Sequence, residues 1–385
     1  MQKYDYIIAG GGAAGLSLAY YLSLSKLSSR HVLIIDKDRK NRNDRTWGFW
    51  TKEKTAFDHL ATLKYSQLNF YSKYYQSRID LFPYRYRVIR GIDFYGFIKN
   101  HLEKYSNFHF LNERIEAYDD RESGAVVKTS SGEYEAGWVF SSIFDEEEIR
   151  QAMSSELYLK QHFKGYVIET GKKAFDPSAF TMFDFRTPQQ GLMRFFYVLP
   201  HSETRALVEY TLFSEELLDR PLYDEAIRKY VDEVLKIGSY EIVEDEFGII
   251  PMTNYVFPVT KGKHIIQTGS AGGSSKPSSG YTFMRIQRHV QEIVRALETG
   301  KSPVISANSP ARYRFFDSVL LNILKHRGDL SEKIFSQLFK NNSIKTVFRF
   351  LDEKGGLPND LKIIFSLPPG PFLKSTIDIS VKSFS

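Results

Sequence analysis

A glycine loop and one isolated acid carry the first chemical signal in the chain. Gly10-Gly11-Gly12-Ala13-Ala14-Gly15 follows the apolar run Tyr4-Asp5-Tyr6-Ile7-Ile8-Ala9 at once, and Leu16 to Leu22 then has a helical pattern. A second apolar run, His31 to Ile35, ends in Asp36. Strand, loop, helix, strand, acid is the order that binding a dinucleotide needs. Gly10 permits the tight turn, Gly12 lets the backbone approach a pyrophosphate, and Gly15 lets helix and strand pack closely. The helix N-terminus offers free N–H groups and a positive dipole end to phosphate. Asp36 follows Gly15 at the spacing of roughly 20 residues expected of an acid that bonds a ribose hydroxyl. A generic glycine turn would not account for that acid.

Two further regions have to be positioned around this unit. His264 to Gln267 is a β-prone run ending in Thr268-Gly269-Ser270-Ala271-Gly272-Gly273, and Pro277 to Phe283 opens a helix expected to reach about Leu297. An early glycine loop with such a late return resembles the FAD-dependent oxidoreductases of the glutathione-reductase type. That resemblance implies FAD, with the second helix N-terminus aimed at the flavin's pyrimidine end. Ser270 stands where that fold usually carries an acid.

Between these parts the chain turns β-rich. Runs 165–170, 179–186, 193–200 and 206–213 predict an antiparallel sheet, and Val126 to Thr129 with Glu133 to Ala136 predict a hairpin. Asp44 to Trp50 reads as a loop whose two Trp form an aromatic plug or a wall beside a ligand. The segment from 312 onward reads as helical, with 361–373 apolar around Leu367-Pro368-Pro369-Gly370-Pro371. The expected fold class is α/β. It comprises a discontinuous Rossmann-type FAD-binding domain (1–158 and 254–310), an inserted antiparallel β-rich substrate domain (159–253) and a helical C-terminal segment (311–385).

Composition narrows the function. Cysteine is absent, which excludes disulfides, thiolate catalysis and cysteine-based zinc sites, and no metal is expected. The 52 basic and 46 acidic residues leave a net charge of +6 without any long like-charge block, so no nucleic-acid partner is expected. No obligate protein partner is evident. No apolar run approaches the ~20 residues of a spanning helix. The first apolar run feeds straight into the glycine loop and reads as a strand rather than a leader. A cytoplasmic protein with peripheral contact to the inner membrane is expected. Aromatics make up 15% of the chain, enough for an ordinary core and also for a pocket taking a long apolar or cationic ligand.

Several motifs in order resemble one family. They are the glycine loop, Asp44-Arg45-Thr46-Trp47 with Phe49-Trp50, Gln161-His162-Phe163-Lys164-Gly165, Asp184-Phe185-Arg186 and Phe196-Tyr197-Val198-Leu199-Pro200. Val208-Glu209-Tyr210-Thr211, Gly248-Ile249-Ile250-Pro251-Met252 and 269–283 complete the set. Over nearly the whole chain this looks like bacterial lycopene β-cyclase. The resemblance implies FAD reduced through NAD(P)H and a carotenoid substrate, lycopene or a relative, drawn from a membrane surface. It implies cofactor contacts from Gly10, Gly12, Ala13, Ala14, Gly15, Asp36, Lys37, Arg45, Gly269, Ala271 and Gly272. It also implies acid-initiated ring closure: a proton is added at C2 of lycopene's ψ end and lost from C6.

Such chemistry needs a carboxyl that stays protonated near neutral pH, hence a buried one. Glu209 matches the family's proposed catalytic acid; read by itself it is a solvent-facing residue of an alternating strand. Tyr210 stands where family members often carry a second acid. Trp47, Trp50, Phe183, Phe185, Phe196 and Tyr197 are the candidate aromatic walls of the substrate pocket, each also a plausible core residue, and aromatic faces stabilise cations. Asp184 and Arg186 read as a structural ion pair. Three rivals remain open: a flavin monooxygenase, a geranylgeranyl-type reductase, and a carotenoid carrier that would not need Glu209. Ser141 to Glu146 replaces the Asp-Gly motif usual in the monooxygenases.

Overall fold

The computed structural model describes residues 2–153 and 157–384. Its first sheet grows from the glycine-loop unit. The strands Gln2–Ala9 and Val32–Ile35 pair in parallel, with Phe108–Leu111 beyond them. On the other side Gln2–Ala9 pairs in parallel with Glu133–Ser141, which continues into an antiparallel meander through Gly124–Thr129 to Ile115–Arg121. The late strand Ile265–Gln267 also joins Glu133–Ser141 in parallel, so the chain does return to this first sheet after its middle section. Ile7, Ile8, Ala9 and all of Val32–Ile35 are buried. Burial on both faces is why these strands read as continuous apolar runs rather than alternating ones. The helices Ala13–Ser23 and Phe283–Glu298 pack together, tied by a 2.8 Å bond from Gln287 Nε2 to Ser17 Oγ.

The second sheet is antiparallel over most of its width. Its strands run in the order Glu241–Thr253, Tyr158–Glu169, Arg205–Ser214, Met193–Pro200, Ala179–Asp184, Gln67–Tyr71 and Gln76–Asp80. The last two amend the expected boundary at residue 158. Gln67–Tyr71 and Gln76–Asp80 come from the N-terminal part of the chain yet complete this sheet, because Gln67–Tyr71 pairs in parallel with Ala179–Asp184. The expected loop 44–50 is also amended. Thr46–Thr51 is a strand, paired with Arg85–Arg90, which in turn pairs with Leu63–Tyr65.

The C-terminal part is helical, as its pattern predicts: Ala311–Arg327, Ser331–Asn341, Ile344–Leu351, Leu357–Phe365 and Pro369–Phe384. The Pro369-Gly370-Pro371 run opens the last helix rather than interrupting it. Proline costs little in a helix's first turn, where its missing N–H has no intrahelical acceptor.

Alternation along the second sheet separates its faces. Phe195, Leu199, Leu207 and Phe213 join the core shared with the C-terminal helices. Phe196, Val198, Val208, Tyr210 and Leu212 join a separate cluster under the helix Arg220–Lys229. The residues between Leu199 and Phe213 on the first face are the ones that form the site.

Candidate active site

The glycine loop has the geometry its sequence implies. Gly10 has φ +106°, a conformation that favours glycine. A Cβ on Gly15 would collide with the Gly10 carbonyl, so glycine is what allows helix Ala13–Ser23 to start against the strand. A Cβ on Gly12 would meet nothing within 4 Å. Gly12, Ala13 and Ala14 border a large cavity at the helix N-terminus. Asp36 braces the loop: its Oδ2 accepts the Gly11 N–H at 2.6 Å and its Oδ1 accepts the Asp38 N–H at 2.7 Å. A carboxylate offers about four lone-pair sites, so acceptor capacity remains.

The cavity, with its mouth, encloses about 1630 Å³ of empty space. Of the sequence-derived cofactor residues, Gly12, Ala13, Ala14, Arg45 and Gly269 line it. Gly10 and Gly15 shape the turn behind it, and Ala271 and Gly272 lie in the 3-10 turn Gly269–Gly272. Lys37 is exposed and outside the wall, whereas Lys40 is within it, held 3.2 Å from Asp44 Oδ2. The helix Phe283–Glu298 opens at this cavity, where Thr282 and Phe283 line it.

At the cavity's other end, four strands place Tyr197, Glu209, Gly165 and Glu246 in one row across the sheet. Glu209 is 9% exposed and its Oε1 accepts the Thr211 hydroxyl at 2.7 Å. The expectation of a buried acid at this position holds. The alternative, a solvent-facing residue, fails because the strand is buried on both faces. Burial, and then the neighbouring Glu246 carboxylate, push the Glu209 carboxyl well above the ordinary range, so it holds its proton. Burial also raises Glu246, whose Oε2 accepts the Thr46 hydroxyl at 2.6 Å. Glu246 is a site residue that the sequence reading missed. Its signal, an acid two residues before the Gly248-Ile249-Ile250-Pro251 motif, becomes meaningful only through the register that sets it opposite Gly165.

No second acid lies beside Glu209 in sequence, and the fold shows why none at that position could serve. Tyr210 points to the opposite face, where its ring stacks on Phe196 and its hydroxyl accepts a 3.3 Å bond from Arg194. The same alternation corrects another expectation. Phe196 lines neither this cavity nor the apolar one beyond the partition; it stacks on Tyr230 with ring centres 3.8 Å apart. Trp50 packs flat on Phe348, and Phe185 sits in the core against Phe183 and Phe195. Trp47, Phe183 and Tyr197 do line cavities. Asp184 and Arg186 form the expected structural ion pair, at 2.6 Å, with the Tyr230 hydroxyl also donating to Asp184.

A second, apolar cavity of about 1170 Å³ lies between the sheet and the C-terminal helices. Phe183, Phe195, Phe316, Phe335, Phe339 and Phe372 are among its walls. It shares Gln161, Tyr197, Ser279 and Tyr281 with the first cavity, so those four side chains form the partition. The Tyr281 and Tyr86 hydroxyls lie 3.4 Å apart, and burial raises both phenols, which are therefore neutral. The loop carrying Tyr281 is anchored by buried charges: Lys276 Nζ lies 2.7 Å from Asp317 and 2.9 Å from Glu353, which also pairs with Arg285 at 3.0 Å.

A family model described as "Lycopene cyclase protein" matches residues 5–377. The chain belongs to the lycopene cyclase family. No curated protein matches the chain. Among solved structures it is similar to a geranylgeranyl bacteriochlorophyll reductase-like protein from Thermoplasma acidophilum, with a TM-score of 0.61 and 13% identity over 97% of this chain and 98% of that one. It is also similar to the flavin-dependent brominase Bmp2, at 0.58 and 13% over 99% and 100%. Aklavinone-11 hydroxylase, solved with FAD and aklavinone, matches at 0.57 and 11% over 78% of this chain and 63% of that one. At these identities the likeness is one of fold. This lycopene cyclase family member shares a mixed α/β architecture with flavin-dependent enzymes of differing chemistry, so its chemistry has to be argued from its own site.

Proposed function

We propose that the protein closes the ψ ends of lycopene into β-ionone rings, an isomerisation without net redox change. The observation that carries this reading is Glu209. It is a carboxyl kept protonated by burial, on a cavity that the glycine loop borders and that abuts an apolar cavity. Glu209 donates its proton to C2, leaving a tertiary cation at C1. The C5=C6 double bond attacks C1 and closes the ring. C2 and C6 are both bonded to C1, so the carboxylate left on Glu209 lies near enough to take the proton lost from C6. The rings of Tyr197, Tyr281 and Tyr86 offer faces to the cation, each worth about 0.5–2 kcal/mol. The apolar cavity excludes water that would trap the cation as an alcohol.

The residues present fit FAD. The helix N-terminus at Ala13 and Ala14, the open side of Gly12, Arg45 and Lys40 would hold the phosphates. Gln161 Oε1, on the partition, is buried and has no hydrogen-bond partner among the described residues, which leaves an acceptor for a ligand N–H. Bound in its reduced, anionic form, FAD would supply negative charge beside the cation; NAD(P)H is the proposed reductant.

The carotenoid is proposed to enter from the inner membrane's surface on the cytoplasmic side. Leu357, Leu361, Phe365, Leu373 and Ile377 are exposed on the last two helices, Phe365 at 81%, beside Lys362 and Lys374. Their neighbours Ile363, Ile364, Leu367 and Phe372 line the apolar cavity. Among the described residues no helix is long and apolar enough to cross a membrane.

Expression in cells that accumulate lycopene tests the reading. Chromatography should find monocyclic and bicyclic pigment. Oxygenated or hydrogenated acyclic pigment would overturn it.

A further inference from the structure

The row across the sheet contains one residue without a side chain, and it lies between the two acids. Glu209 is in register with Gly165, and Gly165 with Glu246, so the acids sit two strands apart on one face. An ordinary residue at 165 would stand between them. A Cβ there would lie 3.3 Å from Glu209 Cβ, 3.3 Å from Glu246 Cγ and 2.8 Å from Leu207 Cδ1. Next along the face, at the row Thr211, Phe163 and Gly248, the Phe163 ring fills the space over Gly248, so the gap over Gly165 is closed on that side. Each acid has one oxygen committed to a threonine: Glu209 Oε1 to Thr211 and Glu246 Oε2 to Thr46. Glu246 Oε1 is buried and has no other partner among the described residues. Two carboxylates facing one gap, Glu209 buried and Glu246 half-buried, cannot both stay ionised without a large repulsion, whereas one proton between them makes a strong hydrogen bond.

We propose that Glu209 and Glu246 work as one acid holding a single proton between them, with Gly165 as the positioning residue that lets them meet. This deepens the reading of Glu209 as the proton donor and rests on it. Glu246 keeps the proton on its partner at neutral pH. When the proton leaves, two adjacent anions remain, which favours the cation beside them and the recapture of a proton.

The groups facing the pair do not replace this effect. Tyr86, Tyr197 and Tyr281 are neutral phenols. Arg45 lowers Glu246 and so favours its anionic form. Glu244, the next acid on the same face of the strand, is held by Arg90 and Arg205, each at 3.2 Å, while Asp245 between them belongs to the opposite face.

The test compares wild type, Glu246→Gln and Gly165→Ala, all loaded with FAD, in two measurements. The first is the pH profile of cyclisation. Removing a like charge lowers the affinity of Glu209 for its proton, and activity needs that proton. The alkaline limb should therefore move down by about one pH unit or more in Glu246→Gln, with a loss of about tenfold or more at pH 8. Gly165→Ala, which wedges the carboxyls apart, should shift in the same direction. The second is infrared difference spectroscopy of the protonated carboxyl band, which needs no turnover. Wild type should hold one such band at neutral pH, and it should titrate at lower pH in Glu246→Gln. An unmoved limb and an unmoved band in Glu246→Gln would overturn the pair, even if activity drops or Gly165→Ala fails to fold. A band that moves as expected in a protein that forms no rings would keep the pair and overturn the cyclase reading.

Discussion

The two faces of the seven-stranded sheet are made from alternate residues of the same strands, and they do different work. On the far face Phe196 stacks between Tyr210 and Tyr230, while His162 bonds Ser214 at 2.7 Å and the Tyr223 hydroxyl. Burial lowers His162 to about 4, so its imidazole is neutral, and the charges at this face are paired, Asp184 with Arg186 and Asp224 with Lys164. On the near face the residues one step along, Tyr197 and Glu209, line a cavity, and Gly165 leaves a gap between two acids. The far face supplies packing that fixes the strands, and the near face spends that rigidity on a group that burial penalises. Chemistry of this kind needs a rigid support, because a carboxyl raised by desolvation relaxes if water can reach it.

The comparison breaks most visibly at Glu209. Glu209→Gln should lower cyclisation by about a hundredfold or more while flavin content and folding persist, measured as product formed per bound flavin. A variant that still cyclises at the wild-type rate would place the acid elsewhere. The faces should then part company in stability. Phe196→Ala should cost about 3–5 kcal/mol in urea unfolding, as expected of a large core cavity. Its neighbour Tyr197→Phe, on the open face, should cost less than about 1 kcal/mol. Equal costs would mean the faces are not distinct.

The near face also depends on the loop that closes it. Lys276→Met leaves Asp317 buried without its cation and should destabilise the fold by about 3 kcal/mol, again by urea unfolding. The smallest effect concerns pH. Glu209 keeps its proton in the folded state at pH values where the unfolded chain has lost it, so its contribution lowers stability as pH rises above the ordinary carboxyl range. Glu209→Gln should therefore be more stable than wild type by roughly 1 kcal/mol at pH 8 and close to it at pH 4.

What the sequence revealed follows the same division. The glycine loop, Asp36 and the late return at Ile265–Gln267 were legible because their meaning lies in local spacing, and each falls where expected. Glu209 was legible only through the family pattern, since a single acid in a strand reads as solvent-facing until the packing on both sides of that strand is known. Phe196 and Tyr197 were grouped as neighbours in sequence, yet successive strand residues point to opposite faces. Glu246 was hidden because its partner is 37 residues earlier in the chain and meets it only across Gly165. Strands 67–71 and 76–80 were missed for the same reason: Gln67–Tyr71 takes its place by pairing with Ala179–Asp184, about a hundred positions away, and Gln76–Asp80 joins the sheet through it.

The most direct measurement is single-turnover reaction of the purified protein, carrying reduced FAD, with lycopene in lipid vesicles, wild type beside Glu209→Gln. The account predicts that wild type yields cyclic products of unchanged mass with the flavin still reduced, and that the variant yields none. Product heavier by hydrogen or oxygen, formed with matching oxidation of the flavin, would contradict it.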